Sequence, residues 1–90
     1  MNPIVVKFGG SSLATAGQFE KVAAIIRENP GRRYVVASAP GKRFSGDTKV
    51  TDLLYRCYDA ACAGQDFAPA LDEIRQRFAD IIGALRLSAN

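Results

Sequence analysis

Ninety residues, 48% hydrophobic and 23% charged, suit one small globular domain at most and exclude disorder as the default reading. The formal net charge of +3 is spread along the chain without a basic run, so no nucleic-acid partner is expected. The chain has no histidine and two cysteines, Cys57 and Cys62, which leaves no basis for a Cys/His zinc site, and no metal ligand is assigned. On a helix those cysteines point roughly 140° apart by the geometry of the turn, so the expectation is two free thiols of a reducing cytoplasm. The opening "MNPIVVKFGG" lacks the basic region of a signal peptide. No run approaches the ~20 apolar residues of a membrane span, so no membrane partner is expected.

Taken in order, "PIVVKF" from Pro3 to Phe8 is β-branched and apolar, and predicts a strand. From Thr15 the period changes. Phe19, Val22, Ala23, Ile25 and Ile26 recur at helical spacing, with Glu20, Lys21, Arg27 and Glu28 on the opposite face. Thr15 followed by Gln18 fits a capping box, and "NPG" at 29–31 ends the helix. "RRYVVASA" then reads as a second strand. Strand, helix, strand is a βαβ unit, which implies parallel strands.

The segment 39–49, "APGKRFSGDTK", is one long polar loop in which Asp47 or Thr48 is expected to cap the next helix. That helix carries the apolar stripe Leu53, Leu54, Cys57, Tyr58 and Ala61. Gly64 and Gln65 separate it from a last helix opened by Asp66, with Pro69 in the first turn where its missing N–H is harmless. Phe67, Leu71, Ile74, Phe78, Ile81, Ile82 and Leu85 share one side of it and read as core or interface.

Two nearly continuous apolar strands require cover on both sheet faces and further strands alongside. Three helices and two strands do not supply these. The order βαβαα therefore reads as the opening part of a larger α/β domain, with exposed edges that favour association.

The stretch "VVKFGGSS", Val5 to Ser12, carries the chemistry. Glycines allow backbone to approach a phosphate, because no Cβ intervenes, and Gly9 and Gly10 end a strand where open α/β sheets place ligands. Lys7 reaches toward a phosphate as a point charge, and Ser11 and Ser12 add hydroxyls. It is neither GxxxxGK[ST] nor GxGxxG. A plain strand-to-helix turn remains the competing reading. The lysine within an apolar strand favours phosphate, and so does a second small-residue loop opening after Ser38.

"VVKFGGSSLA", followed after a helix by "VVASAPGKRFSGDTKVTDLLY", resembles the N-terminus of aspartokinases in the amino acid kinase family. The resemblance covers at least residues 3–55, and KFGG[ST]S is a signature of those enzymes. It implies part of a three-layer αβα sandwich with a mostly parallel sheet. It also implies transfer of phosphate from ATP, with Mg2+, to the β-carboxylate of L-aspartate in a cytoplasmic homo-oligomer. In that light Lys7 would neutralise charge on the transferring γ-phosphoryl group. Gly9, Gly10, Ser11 and Ser12 would cradle the ATP phosphates. Ser38 would lie near aspartate and the γ-phosphate, and Thr51 of "VTD" would hold the amino acid. Lys42, Arg43 and Lys49 read as solvated loop residues, and Asp47 and Asp52 as caps rather than metal ligands. The rest of the catalytic domain and the ACT regulatory domains of these enzymes have no counterpart in residues 1–90. An N-terminal portion that does not turn over alone is expected. The alternatives are a sister kinase with another acceptor, and a non-catalytic phosphate-binding or structural module.

Overall fold

A computed structural model describes residues 2–87, in the order β1 (Ile4–Phe8), α1 (Ala16–Glu28), β2 (Arg32–Ala37), α2 (Val50–Cys62) and α3 (Ala68–Ala84). A single 3-10 turn, Gly10–Leu13, lies between β1 and α1. The strands pair in parallel, with Val5 opposite Tyr34 and Lys7 opposite Val36, and an irregularity between Ile4 and Val5 leaves Arg33 as an extra residue. The chain is thus mixed α/β with a parallel sheet, as expected, and βαβαα is its order.

Alternation along β1 decides which face is covered. Val6 and Phe8 turn toward α1 and pack with Leu13, Phe19, Val22 and Ile26. Val5 and Lys7 turn the other way, beside Tyr34 and Val36 of β2. That second face is bare: Val5 is 67% exposed and Tyr34 57%. One side of the sheet therefore carries its helical layer and the other does not.

The helix ends show which sequence signals survive folding. Thr15 caps α1, its hydroxyl accepting from the Gln18 amide at 3.4 Å. Asn29 closes that helix by accepting from the Gly31 amide through its side chain. Gly64, at φ 69°, ends α2 in the left-handed conformation that glycine tolerates, with its own amide and that of Gln65 returned to Ala61 and Ala60.

Neither Asp47 nor Thr48 caps α2, contrary to the expectation. Lys49 occupies the cap with no side-chain hydrogen bond. The Asp47 carboxylate is instead held by Arg43, and the Thr48 carbonyl by Arg77. Asp66 does serve the start of α3, accepting from the Ala68 amide at 2.9 Å, although Phe67 is the cap residue. Of the apolar stripe on α3 only Ile81 is buried, while Phe67, Leu71, Phe78 and Ile82 face outward. On α2, Val50 and Leu53 are buried, and Leu54 and Tyr58 are exposed.

Candidate functional site

Two loops meet at the C-terminal edge of the sheet. The first leaves β1 at Phe8 and runs through Gly9 into the 3-10 turn, which the Ser12 amide closes on the Gly9 carbonyl at 3.1 Å. The second leaves β2, and its first residue is pinned in line with β1 because the Ser38 amide donates to the Phe8 carbonyl at 3.1 Å. Parallel pairing thus delivers both loops to one place.

The loops touch backbone to backbone. The Gly41 amide donates to the Gly10 carbonyl at 2.8 Å. A Cβ at Gly41 would lie 2.7 Å from the Gly10 carbonyl carbon, and one at Gly10 would lie 3.1 Å from the Ala39 carbonyl oxygen. The fold itself demands glycine at Gly41. Gly9 differs: its φ of −77° and ψ of 175° suit any residue, and a Cβ there would meet nothing within 4 Å. Nothing among the described residues requires Gly9 to be glycine.

Between the loops and the start of α2 lies an open cleft of about 460 Å³. Gly10, Ser11, Ser38 and Thr51 line it together. Thr51 is brought there because the Val50 amide donates to the Pro40 carbonyl at 3.1 Å, closing the second loop on itself. Lys7, Gly9 and Ser12 do not form part of the cleft wall. Lys7 is exposed on the bare sheet face, and Ser12 is half-buried in the turn.

Lys42 and Lys49 also line the cleft. The lining includes three hydroxyl side chains and two ammonium groups, and no carboxylate. Lys49, at the N-cap of α2, sits where the helix dipole is positive. The cleft therefore concentrates positive potential and hydrogen-bond donors, the complement of an anion.

The second loop is braced from within and from α3. Arg43 grips the Asp47 carboxylate with Nε at 2.7 Å and Nη2 at 3.0 Å, and its own amide donates to the same carboxylate. This Arg43 grip, aided by the loop amides, holds Asp47 well below the usual carboxylate range against the opposing effect of desolvation, and the same pairing raises Arg43. Arg77 of α3 is the one buried charged residue among the described residues, 4% exposed. Its pKa is pushed down by burial and by the Arg43 charge, with Asp47 at 3.6 Å opposing that shift. Sequence reading overlooked Arg77 and took Arg43 as solvated. The available signal was an arginine between Ile74 and Ile81 on an otherwise apolar helix face.

This geometry can be set beside known proteins. The model of the amino acid kinase family matches residues 2–86. The chain belongs to the amino acid kinase family. Within that family it is 46% identical, over 83 residues, to aspartokinase 3 of Bacillus subtilis strain 168, a match that takes in 92% of this chain and 18% of that protein. The crystal structure of the Clostridium acetobutylicum aspartate kinase superposes with a TM-score of 0.95 at 42% identity, covering all of this chain and 21% of that one. The chain thus spans about a fifth of the length of these two kinases. Among the described residues no three His, Cys, Asp or Glu side chains gather as metal ligands. No helix of the described residues is long and apolar enough to cross a membrane.

Proposed function

We propose that this chain is the N-terminal part of the catalytic domain of an aspartate kinase. That enzyme transfers the γ-phosphoryl group of MgATP to the β-carboxylate of L-aspartate, the first step toward lysine, threonine and methionine, in the cytoplasm. The rest of that domain and the ACT domains lie outside these ninety residues, and the ninety residues alone do not turn over. The observation that carries this reading is the convergence of Gly10, Ser11, Ser38 and Thr51 on one cleft edged by Lys42 and Lys49.

Phosphoryl transfer asks the protein for positioning and charge stabilisation rather than covalent chemistry. A carboxylate oxygen of aspartate attacks phosphorus, the bond to the bridging oxygen breaks, and ADP leaves. Gly9 and Gly10 let the phosphates approach the backbone closely, and the open space where a Gly9 Cβ would stand supports that role. Ser11 and Ser12 add hydroxyl donors beside them. Lys7, with no carboxylate within ion-pair distance among the described residues, neutralises charge on the γ-phosphoryl group. Ser38 and Thr51 hold the acceptor, and Lys49 at the α2 cap favours its anionic form. Magnesium enters as part of the nucleotide substrate.

The test is trapping of aspartyl phosphate with hydroxylamine in the intact enzyme. Lys7→Ala is expected to lower kcat/KM by about 10²–10³-fold, the effect of removing one preorganised charge at the transferring group. Absence of any aspartate-dependent phosphorylation in the wild type contradicts the reading. Turnover by residues 1–90 alone contradicts the proposal that they are only a part.

A further inference from the structure

We propose that Arg77 is a positioning residue for this cleft, holding the loop between β2 and α2 in place from α3. Arg77 Nη2 donates to the Gly41 carbonyl at 2.6 Å and Nη1 to the Thr48 carbonyl at 2.9 Å. These carbonyls stand near the two ends of the loop, so one planar guanidinium spans it. A planar fork is suited to two acceptors at once in a way that a single ammonium is not.

The contact reaches both sides of the cleft through Gly41. Its carbonyl accepts from Arg77, and its amide donates to Gly10. At the far end, Thr48 is followed by Lys49, Val50 and Thr51, and the Val50 amide returns to Pro40. Releasing Arg77 therefore frees the seat of Gly10 and the start of α2 together. Both carry groups that line the cleft.

The burial of Arg77 argues that this contact is specific. Helix packing alone is satisfied at this position by an apolar side chain, and burying a guanidinium carries a desolvation penalty. Its compensation is unusual in kind. The two hydrogen bonds go to backbone carbonyls of the loop, and Asp47, the carboxylate nearby, is already gripped by Arg43. Arg77 Nε is buried and has no partner among the described residues. The side chain thus gives up one donor and keeps the two contacts that define the loop.

The functional consequence rests on the aspartate-kinase reading, but the contact does not. The intact protein is compared as wild type, Arg77→Met and Arg77→Lys, by hydrogen exchange and steady-state kinetics. In Arg77→Met, exchange over 38–50 is expected to accelerate at least tenfold while β1, β2 and α1 keep their protection. In the same variant kcat/KM for the acceptor falls at least tenfold, with Arg77→Lys intermediate in both readouts. Unchanged protection over 38–50 overturns the proposal. So does uniform loss across the fold in both variants, which marks Arg77 as an ordinary stability residue. Selective loss of protection with kcat/KM within twofold of wild type also overturns it, because the loop would then be held without serving the site. If the wild type itself lacks activity on aspartate, the functional reading fails, and the exchange pattern alone still decides whether Arg77 holds the loop.

Discussion

Gly41 and Gly9 stand on the two loops at the strand ends and answer different needs. At Gly41 an added Cβ would press to 2.7 Å of backbone, with no flexible side chain to give way. Gly41→Ala is therefore expected to destabilise by ~1–3 kcal/mol in a denaturant titration, the scale of an overpacked interior site. Gly9→Ala has space and an ordinary backbone conformation, so its stability stays within about 0.5 kcal/mol of wild type. Its defect is expected in nucleotide use, with KM for ATP raised about tenfold, comparable to one lost hydrogen bond to a charged group. A stable Gly9→Ala enzyme with unaltered KM would remove Gly9 from the phosphate cradle. Asp47 is a second residue whose role is structural. Its folded pKa lies below the unfolded value, so its stabilising contribution is full above about pH 4–5 and is lost as pH falls through that range and below. Asp47→Asn frees Arg43 and removes the carboxylate within ion-pair distance of Arg77, for a loss of ~2–3 kcal/mol at pH 7. The gap between wild type and variant is expected to narrow on acidification. A gap that is constant from pH 7 to pH 3 contradicts the assignment of the shift to this ion pair.

The periodicity of the chain is enough to find both strands and all three helices, because apolar residues recur at strand or helix spacing even where, as at Ile25, Leu54 and Tyr58, they end up exposed. The Thr15 cap was equally plain, since its partner Gln18 lies one turn away. What the sequence hid was decided by contacts distant along the chain. Asp47 has the side chain of a helix cap and stands at the right place, but a bidentate arginine four residues earlier competes more strongly than a backbone amide. Arg77 binds carbonyls 29 and 36 residues before it, a pairing that no local pattern encodes. The strand-to-helix turn at Gly10–Leu13 is legible as a turn, but its 3-10 form is not. The apolar stripe of α3 was visible, but a stripe names a face and not what covers it. The site was legible in part: Gly10, Ser11, Ser38 and Thr51 meet at one cleft, whereas Lys42 and Lys49 were set aside as loop residues. Beyond α3, Arg86 adopts φ 58° in a turn that returns its amide and that of Leu87 to Gly83 and Ile82. This is a position where glycine is preferred over a side chain. Arg86→Gly is expected to stabilise the fold by about 0.5–1 kcal/mol, measured by thermal melting, net of the added freedom of the unfolded chain. A lowered melting temperature would show that the Arg86 side chain earns its place through contacts.

For the molecule as a whole, the exposed apolar surface is the dominant fact. Val5, Tyr34 and Val36 form a bare sheet face, and Leu54, Tyr55 and Tyr58 project from α2. The radius of gyration is 15.7 Å, where a compact chain of this length reaches about 12 Å. Surfaces of this kind associate. Residues 1–90 are expected to sediment as oligomers at micromolar concentration, and lysine at Tyr34 and Val36 to shift them toward monomer. A monodisperse wild-type monomer would contradict this. At the same scale, the central proposal is that the loop after β2 and the start of α2 serve the acceptor, beside a phosphate-binding loop after β1, in one phosphoryl-transfer site. It is tested most directly by the kinetics of Thr51→Val and Ser38→Ala in the intact enzyme. Loss of a hydroxyl that touches the acceptor is expected to raise KM for aspartate about tenfold or more, with KM for ATP changed less than about twofold. Equal KM values for aspartate in wild type and both variants, at undiminished kcat, would contradict the account.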